Sequence, residues 1–176
     1  NKVLVGADAS GIELRVLAHY LSKWDKGAYA KTIVEGDIHT ANQEAAGLTT
    51  RDEAKKFIYM WLYGAGDKAI GEIVEGGERE GRALKEQFLR KIPAVGSLMK
   101  AIDQVVKRSS TIVALDGRVL PARKAFSALN LLCQSAAAII MKKSLVLFAE
   151  SANDDDYEMH GNVHDEVQFS CDADKA

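Results

Sequence analysis

The sequence predicts an α+β fold, because strand patterns lie near its two ends and helical patterns fill most of the chain between them. The apolar run at residues 3–5 is typical of a short buried strand, which brings Asp8 to the strand's end. Residues 157–163 and 166–171 are expected to pair as two further strands. With 176 residues and a 47% apolar composition, the chain can form one globular domain or a compact core with a protruding subdomain.

The intervening segments show the apolar spacing of helices. The first helix is predicted over about residues 11–23, with Ser10 as its N-cap. Further helices are predicted near residues 28–35, 38–46, 51–63, 67–74, 78–90, 94–108 and 125–150. The apolar side of the last helix is expected to consist of Ala128, Leu131, Leu132, Ser135, Ala136, Ile139 and Ile140. A two-stranded hairpin is expected at residues 111–120, and residues 154–156 are expected to form a solvated loop.

The predicted helix at residues 51–63 carries a stripe of side chains at four-residue intervals. Each step of four advances the helix by about 40° beyond a full turn, so these side chains form one slowly drifting face. The stripe consists of Arg51, Lys55, Tyr59 and Tyr63. Two cations followed by two phenols can hold a polyphosphate and stack a base or sugar, although solvated charges beside core aromatics give the same spacing. Thr50 and Glu53 fit a capping box at the start of this helix.

Charge is unevenly distributed, although the net charge is only −2. Residues 51–124 hold 15 Lys and Arg against 10 Asp and Glu, whereas residues 125–176 hold 3 against 9. A basic middle beside acidic ends is typical of a site in which carboxylates bind cations next to an element that meets phosphates. Ordinary scatter of surface charge is the alternative.

Cysteine usage and apolar run length bear on the compartment. Cys133 and Cys171 form no CxxC or zinc-ligand pattern, which favours a reduced, intracellular protein. No signal peptide opens the chain, and no uninterrupted apolar stretch approaches the length needed to span a bilayer, so no membrane partner is predicted. The chain opens inside a predicted strand, and we expect it to be a fragment of a larger protein.

Two carboxylates interrupt apolar strand residues. Asp8 follows the first strand, and Asp165 lies within the run VHDEV at residues 163–167. If the two strands are neighbours, both carboxylates reach a common point, where their repulsion favours a divalent cation such as Mg²⁺. Two such ions could clamp an attacking hydroxyl and a leaving pyrophosphate. Either acid taken alone is more often a turn or cap residue.

Five motifs, in order, resemble those of the A-family DNA polymerases. They are DASGIELR at residues 8–15 (motif A), GDIHT at 36–40, RxxxKxxxYxxxYG at 51–64 (motif B), NxxxQ at 130–134 and VHDE at 163–166 (motif C). The resemblance spans nearly the whole chain and is to the replicative polymerases of podovirus-like phages in particular. It implies a right-hand polymerase palm, a small antiparallel sheet backed by helices, with a helical fingers subdomain. The palm would comprise residues 1–38 and 111–176, and the fingers residues 39–110.

The resemblance also implies a catalytic set. Asp8 and Asp165 would ligate two magnesium ions, aided by the backbone carbonyl of Ala9. Glu166 would support the metal or the primer end. Lys55 would contact the phosphates of the incoming nucleotide and protonate the leaving pyrophosphate.

Nucleotide and DNA contacts follow from the same resemblance. Arg51 and His39 would grip the γ- and β-phosphates, and Glu13 with Tyr59 would favour deoxyribose over ribose. The expected DNA contacts are Tyr63 near the templating base, Asn130 and Gln134 in the minor groove, and His164 within motif C. Without the resemblance, other roles stay open. His39 could cap a helix or lie in the core, and Asn130 and Gln134 could satisfy neighbouring backbone groups. Glu13 could be an exposed acid in the first turn of a helix, where the helix dipole favours it.

Two residues depart from the family pattern. Met60 follows the motif B tyrosine where glycine is usual, which reduces the expected space for the templating base. Phe126 stands where a basic or polar residue is common, which weakens one expected DNA contact. Arg15 is expected to be structural, pairing within the palm.

The implied activity is template-directed addition of dNTPs to a primer 3′-OH in phage DNA replication, with release of pyrophosphate. Its partners would be primer–template DNA, a dNTP and a processivity factor bound to a thumb region, in the cytoplasm of the bacterial host. A single-subunit RNA polymerase shares the acids and the stripe, and Glu13 argues against it. A non-catalytic DNA-binding relic is the other alternative, against which the intact acids and Lys55 argue. The fragment by itself is expected to be weakly active or inactive.

Overall fold

The computed structural model describes residues 1–153 and 156–176, which form eight α-helices, one 3₁₀ helix and five β-strands. In the predicted loop of aspartates, Asp154 and Asp155 lie outside the described residues. The helices are α1 (Ile12–Asp25), α2 (Ala28–Glu35), α3 (Ile38–Ala46), α4 (Arg51–Leu62), α5 (Asp67–Gly71), the 3₁₀ helix (Glu72–Val74), α6 (Glu78–Lys91), α7 (Pro93–Ser109) and α8 (Ala125–Ser151). The strands are β1 (Lys2–Asp8), β2 (Thr111–Val113), β3 (Val119–Pro121), β4 (Tyr157–Val163) and β5 (Glu166–Asp172). The predicted order of strands and helices is confirmed, with small shifts at their ends.

β1, β5 and β4 form one antiparallel sheet in this order, with β5 in the centre. Asp8 at the end of β1 lies opposite Glu166 at the start of β5. Residues opposite each other in an antiparallel pair point to the same face, so these two carboxylates share one face of the sheet. The other face packs on the C-terminal half of α8, where the Phe148 ring lies 4.7 Å from that of Tyr157 and 5.4 Å from that of Phe169, between centroids.

The turn from β1 into α1 corrects one predicted feature. Ser10 is not the N-cap of α1; Gly11 holds that position, with a left-handed φ of 61° and no side-chain cap. Ser10 lies within the reversal itself, because its backbone N–H donates to the carbonyl of Asp8 at 3.1 Å, and glycine is the residue that adopts the left-handed conformation at least cost. Arg15 donates from Nε to the Ser10 carbonyl at 2.9 Å, which is a local structural contact.

The capping box predicted for α4 is confirmed. The hydroxyl of Thr50 accepts a hydrogen bond from the backbone N–H of Glu53 at 3.2 Å, and the Glu53 carboxylate accepts one from the backbone N–H of Thr50 at 2.9 Å. Two of the unpaired N–H groups at this helix end are thereby satisfied. The box fixes the first turn of the helix, where Arg51 lies.

The hydrophobic core is formed mainly by helices. Phe57 and Trp61 of α4 both contact Phe88 of α6, with ring centroids 5.3 and 5.4 Å apart. α5 and α6 approach closely, because a Cβ added to Gly81 would lie only 1.8 Å from the carbonyl oxygen of Asp67. The contacts with Phe88 bury one face of α4, and the opposite face lines a cleft.

The buried side of α8 differs from the predicted one. It consists of Ala128, Leu129, Leu132, Cys133, Ala136, Ala137 and Met141. Leu131, Ser135 and Ile139 are only partly buried, and Ile140 is 39% exposed. The apolar side chains of α8 lie on all of its sides. Their spacing therefore does not select the face that packs against α1, α4 and α7.

The same helix is long and largely apolar. By length and composition, α8 could cross a membrane, with a mean hydropathy of 1.6 over its best 18-residue window. Polar residues, among them Asn130, Gln134 and Lys142, interrupt its apolar sequence. A core helix of a globular protein can satisfy the same criterion, and in this fold α8 packs against three other helices.

Candidate active site

A cleft of about 410 Å³, here called the polar cleft, lies where the end of β1 and the β4–β5 turn meet α3 and α4. The strand end and the turn supply carboxylates, whereas the two helices supply cationic and aromatic side chains. The predicted site residues that line it are Asp8, Glu13, His39, Arg51, Lys55, Tyr59 and Asp165. The structure therefore brings the two predicted metal-binding carboxylates together with all of the predicted nucleotide-binding residues.

Backbone hydrogen bonds place the two acids. β1 pairs with β5 along its length, and just beyond it the N–H of Ala9 donates to the backbone carbonyl of Asp165 at 2.9 Å. This bond ties the end of β1 to the β4–β5 turn, where His164 has a left-handed φ of 55°. Within residues 1–153 and 156–176, no protein group donates a hydrogen bond to the carboxylate of Asp8 or Asp165. Both carboxylates are therefore available to a ligand in the polar cleft.

The oxygen atoms at this point suit a divalent cation. Carboxylate oxygens are among the ligands that Mg²⁺ prefers, and Asp8 and Asp165 supply them to the polar cleft. Ala9 does not line this cleft, and its carbonyl accepts from the backbone N–H of Ile12 at 3.1 Å. Among the described residues, no three His, Cys, Asp or Glu side chains converge to hold an ion by themselves. A cation would therefore need backbone, water or substrate oxygens in addition to the two carboxylates. Glu166 is engaged in the sheet, where its Oε1 accepts from Gln168 Nε2 at 3.0 Å.

The stripe on α4 divides between two clefts. Arg51, Lys55 and Tyr59 line the polar cleft, whereas Tyr63, at the C-cap of α4, lines a neighbouring cleft of about 440 Å³. The helical drift explains this, since three steps of about 40° turn the last side chain by about 120° from the first. The stripe thus spans both clefts.

The neighbouring cleft contains most of the predicted DNA-binding residues. Tyr63, Gln134 and His164 line it, and it shares Glu13 and Asp165 with the polar cleft. Gln134 Nε2 donates to the hydroxyl of Tyr63 at 2.9 Å, and that hydroxyl donates to Glu13 Oε1 at 3.1 Å. Burial, followed by the Glu13 carboxylate, raises the pKa of Tyr63. The predicted nucleotide contacts and DNA contacts therefore lie on opposite sides of Glu13 and Asp165.

His39 and Tyr59 are neighbours in the polar cleft, with ring centroids 6.3 Å apart. Burial, followed by the positive charge of Arg51, lowers the pKa of His39, so the neutral imidazole is favoured. The Nδ1 atom of His39 is buried and has no hydrogen-bond partner among the described residues. Burial and, to a lesser extent, the Glu13 carboxylate raise the pKa of Tyr59, so its side chain stays a neutral phenol.

Asn130 and the two departures from the family pattern lie outside both clefts. Asn130 lines neither cleft, and its Nδ2 is buried without a hydrogen-bond partner in the described part of the chain. Phe126 packs edge-on against Trp61, with ring centroids 5.4 Å apart, and a Cβ on Gly64 would lie 3.3 Å from it. Phe126 therefore stabilises the end of α4 by packing. Met60 is partly buried against the core.

The sequence alone assigned no role to Asp37, which the structure places in the polar cleft. Its carboxylate caps α3 by accepting from the backbone N–H of His39 at 3.0 Å, and it pairs with Arg51 Nε at 2.6 Å. The hydrogen bond from Arg51 holds the pKa of Asp37 well below its usual range and raises the pKa of Arg51. An Asp directly before a predicted helix is an N-cap signal that could have marked this residue.

Comparison with known sequences identifies relatives of the whole chain. A sequence profile described as DNA polymerase family A matches residues 1–176. DNA-directed DNA polymerases of Enterobacteria phage T3 and Escherichia phage T7 are each 44% identical to the chain over 191 aligned positions. In both cases the match covers 96% of this chain and 27% of the relative. The DNA-directed DNA polymerase of Escherichia phage Phieco32 is 35% identical, over 97% of this chain and 33% of its own length.

A solved structure shows the same fold. The POL domain of Pol1 from M. smegmatis, in complex with DNA primer-template and dNTP, superposes with a TM-score of 0.80 at 21% sequence identity. The superposition covers 97% of this chain and 34% of that one. The chain thus spans about a quarter to a third of the length of these four proteins. With its sequence matched from the first residue to the last, the chain belongs to DNA polymerase family A.

Proposed function

We propose that this chain contains the catalytic centre of a template-directed DNA polymerase, which adds dNTPs to a primer 3′-OH and releases pyrophosphate. One observation carries the proposal: Asp8 and Asp165 line the same cleft as Arg51 and Lys55. Phosphoryl transfer depends chiefly on positioning and on charge stabilisation, and this cleft combines anionic groups for cations with cationic groups for phosphates. The names of the phage relatives, DNA-directed DNA polymerase, support the same activity.

A divalent metal cofactor is general in this family, and the finer assignment proposed here is two Mg²⁺ ions. Asp8, Asp165 and the carbonyl of Ala9 would hold them, and Glu166 would support the metal or the primer end. When bound, such ions lower the pKa of the attacking hydroxyl and stabilise charge on the leaving oxygen. The chain's own contribution is to place two like charges in one cleft, where no group of residues 1–153 and 156–176 donates a hydrogen bond to them, so that they can bind cations.

The helical wall of the polar cleft would bind the triphosphate. Arg51 and His39 would donate hydrogen bonds to the γ- and β-phosphates, and the neutral form of His39 retains one N–H donor. The primer 3′-hydroxyl would lose its proton to solvent and form a bond to the α-phosphorus, as the bond from that phosphorus to the pyrophosphate oxygen breaks. Lys55 would donate a proton to that leaving oxygen. Glu13 and Tyr59 would lie beside the sugar and disfavour a 2′-hydroxyl.

The neighbouring cleft would bind DNA. Tyr63 would lie near the templating base, and Gln134 and His164 would contact the duplex from the other side of the cleft. Asn130 stays a predicted fourth DNA contact, although its Nδ2 atom is buried outside both clefts, without a hydrogen-bond partner in the described part of the chain. Because Tyr63 bonds both Glu13 and Gln134, contacts to the sugar and to the DNA would be linked by one hydrogen-bond chain.

Palm and fingers are proposed for the subdomains. Residues 1–38 and 111–176 would form the palm, and residues 39–110 the fingers. The proposed partners are primer–template DNA and dNTP, in the cytoplasm of a phage-infected bacterium. A processivity factor bound to a thumb region remains a prediction.

The test is primer extension by the full-length polymerase that contains this chain. Asp165→Asn is expected to lower kcat by about 100- to 1,000-fold, because it removes the charge that holds the cation. The matched control is Asp172→Asn, which changes an exposed carboxylate at the far end of β5, the strand that follows Asp165, and should leave kcat unchanged. Extension by the Asp165 variant at the wild-type rate would contradict the proposal.

A second pair of variants tests the helical wall. Lys55→Ala should lower kcat, whereas Lys56→Ala, which removes an adjacent exposed lysine outside the polar cleft, should not. Comparing dNTP with NTP incorporation separates a DNA polymerase from an RNA polymerase. A preference for NTPs would overturn the assignment of Glu13 and Tyr59.

A further inference from the structure

One carboxylate connects the two helices that carry the phosphate-binding side chains. Asp37 is the N-cap of α3, where its Oδ1 accepts from His39 N at 3.0 Å and its Oδ2 accepts from the hydroxyl of Thr40 at 3.1 Å. The same two oxygens accept from Arg51 of α4, from Nε at 2.6 Å and from Nη2 at 3.3 Å. Asp37 is thus fixed by its own helix and in turn holds the first residue of the next.

The geometry of this pair leaves part of the guanidinium available. Arginine has five N–H donors in a rigid plane, and Asp37 occupies two of them along the Nε–Nη2 edge of Arg51. Three donors remain for an anion in the polar cleft, which Arg51 lines. A two-point contact also fixes the plane of the guanidinium, whereas an unpaired Arg side chain samples many rotamers.

We propose that Asp37 is a positioning residue for Arg51. It orients the free N–H donors of Arg51 toward the triphosphate of the incoming nucleotide and fixes their position relative to His39. This role rests on the proposed function, because it assigns the anion in the polar cleft to a nucleotide. It extends that function by one residue that touches no substrate and acts through Arg51.

The solvent exposure of this ion pair indicates that it contributes to the orientation of Arg51 more than to the stability of the fold. The Arg51 and Asp37 side chains are 51% and 42% exposed, and ion pairs at such exposure add little to the stability of a fold. The opposite role is competition, in which Asp37 neutralises Arg51 and the triphosphate must displace it. Because two bonds from α3 already hold Asp37 and the contact uses one edge of the guanidinium, a phosphate can bind the remaining donors without breaking the pair.

The experiment measures steady-state nucleotide incorporation by the full-length polymerase with Asp37→Asn. Asparagine is as good an N-cap as aspartate, so the cap of α3 is retained while the charged contact to Arg51 is lost. We expect KM for the dNTP to rise roughly tenfold, with kcat and KM for the primer–template changing little. Asp37→Ser, which also caps a helix without charge, should give the same result and serves if the Asn variant is unstable.

A matched control separates capping from positioning. Asp25 likewise accepts at the start of a helix, from the backbone N–H groups of Gly27 at 2.8 Å and Tyr29 at 3.0 Å, but it lies outside the polar cleft. Asp25→Asn should leave KM for the dNTP unchanged. In an Arg51→Ala background, Asp37→Asn should have no further effect on KM, because its effect passes through Arg51.

The outcomes are distinct. Suppose that the wild type extends a primer. The positioning role is then overturned, and the proposed function stands, if Asp37→Asn has the wild-type KM for the dNTP or a lower one. The same conclusion follows if Asp37→Asn raises KM as much in the Arg51→Ala background as in the wild type. A full-length wild type that does not extend a primer would overturn the proposed function and the positioning role with it.

Discussion

The two walls of the polar cleft are built by different means. On one side, α3 to α7 form a helical region (residues 38–109) in which Phe57, Trp61 and Phe88 are at most 1% exposed. On the other side, the β1–β5–β4 sheet leaves Leu4 69% and Val163 60% exposed. The helical region is held by side-chain packing, and the sheet is held mainly by its backbone hydrogen bonds and by one face on α8.

This difference matters for the site. The cationic side chains stand on a helix whose opposite face is locked into a core, so a packing defect there should move several of them together. The acids Asp8 and Asp165 are instead placed by strand register and by the bond from Ala9 to Asp165, so changes in side chains at the exposed sheet positions should disturb them little. Stability should therefore respond strongly in one region and weakly in the other.

The largest expected effect comes from Phe88. Phe88→Ala removes a fully buried ring that packs on both Phe57 and Trp61, and it should lower the free energy of unfolding by about 3–5 kcal/mol. Leu4→Ala in the sheet removes a side chain that is 69% exposed and should cost less than about 0.5 kcal/mol. Urea unfolding followed by circular dichroism measures both. Equal losses in the two variants would break the comparison.

A smaller effect tests the close approach of α5 and α6. Gly81→Ala places a Cβ 1.8 Å from the carbonyl oxygen of Asp67 and should destabilise the fold by about 1–3 kcal/mol, because one helix must shift. Gly96→Ala in α7 is the matched control, since its Cβ would meet no atom within 4 Å. That variant should raise the free energy of unfolding by about 0.5–1 kcal/mol, through better helix propensity. Thermal unfolding of the pair measures the difference, and a neutral Gly81 variant would contradict this packing.

Sequence reasoning succeeded where the controlling signals are local. The start of α4 was predictable because Thr50 and Glu53 form a capping box within four residues. The pairing of β4 with β5 was predictable because two strand patterns lie on either side of a short polar turn. Ser10 failed as a cap because the chain reverses there, and a left-handed glycine was needed immediately after it. That requirement comes from the path of the chain, which local spacing does not reveal.

The features that were missed depend on tertiary structure. The buried face of α8 could not be chosen from a helix that is apolar on all sides; contact with α1 and α7 selects it. The ion pair of Asp37 with Arg51 joins the N-cap of α3 to the first residue of α4, and the local sequence around neither residue predicts this partner. The stripe on α4 was predicted as one face, and its division between two clefts depends on where the β4–β5 turn and α8 lie.

The smallest expected effect concerns acid stability and sharpens the comparison at the surface. In the helical region, Glu80 accepts from the backbone N–H of Gly77 at 2.9 Å and from Arg79 Nε at 2.9 Å. The bond from Gly77 foremost, with those from its own backbone N–H and from Arg79, lowers the pKa of Glu80 to about 2. Its usual value is 4.5, so the unfolded chain takes up the proton first as the pH falls. The stabilisation by ionised Glu80 is therefore complete above about pH 4.5 and is lost as the pH falls toward 2.

Glu80→Gln keeps a group that can accept from Gly77 but removes the charge, so the variant should be less stable than the wild type near neutral pH and should approach it in acid. Urea midpoints measured between pH 2 and 7 give this difference directly. The control in the sheet is Glu158→Gln, whose partner Lys2 lies 3.8 Å away with both side chains about two-thirds exposed, and its midpoint should follow the wild type throughout. A Glu80 variant whose difference from the wild type stays constant down to pH 2 would show that its carboxylate is not held by Gly77, and the helical region would lose one of the contacts that distinguish it from the sheet.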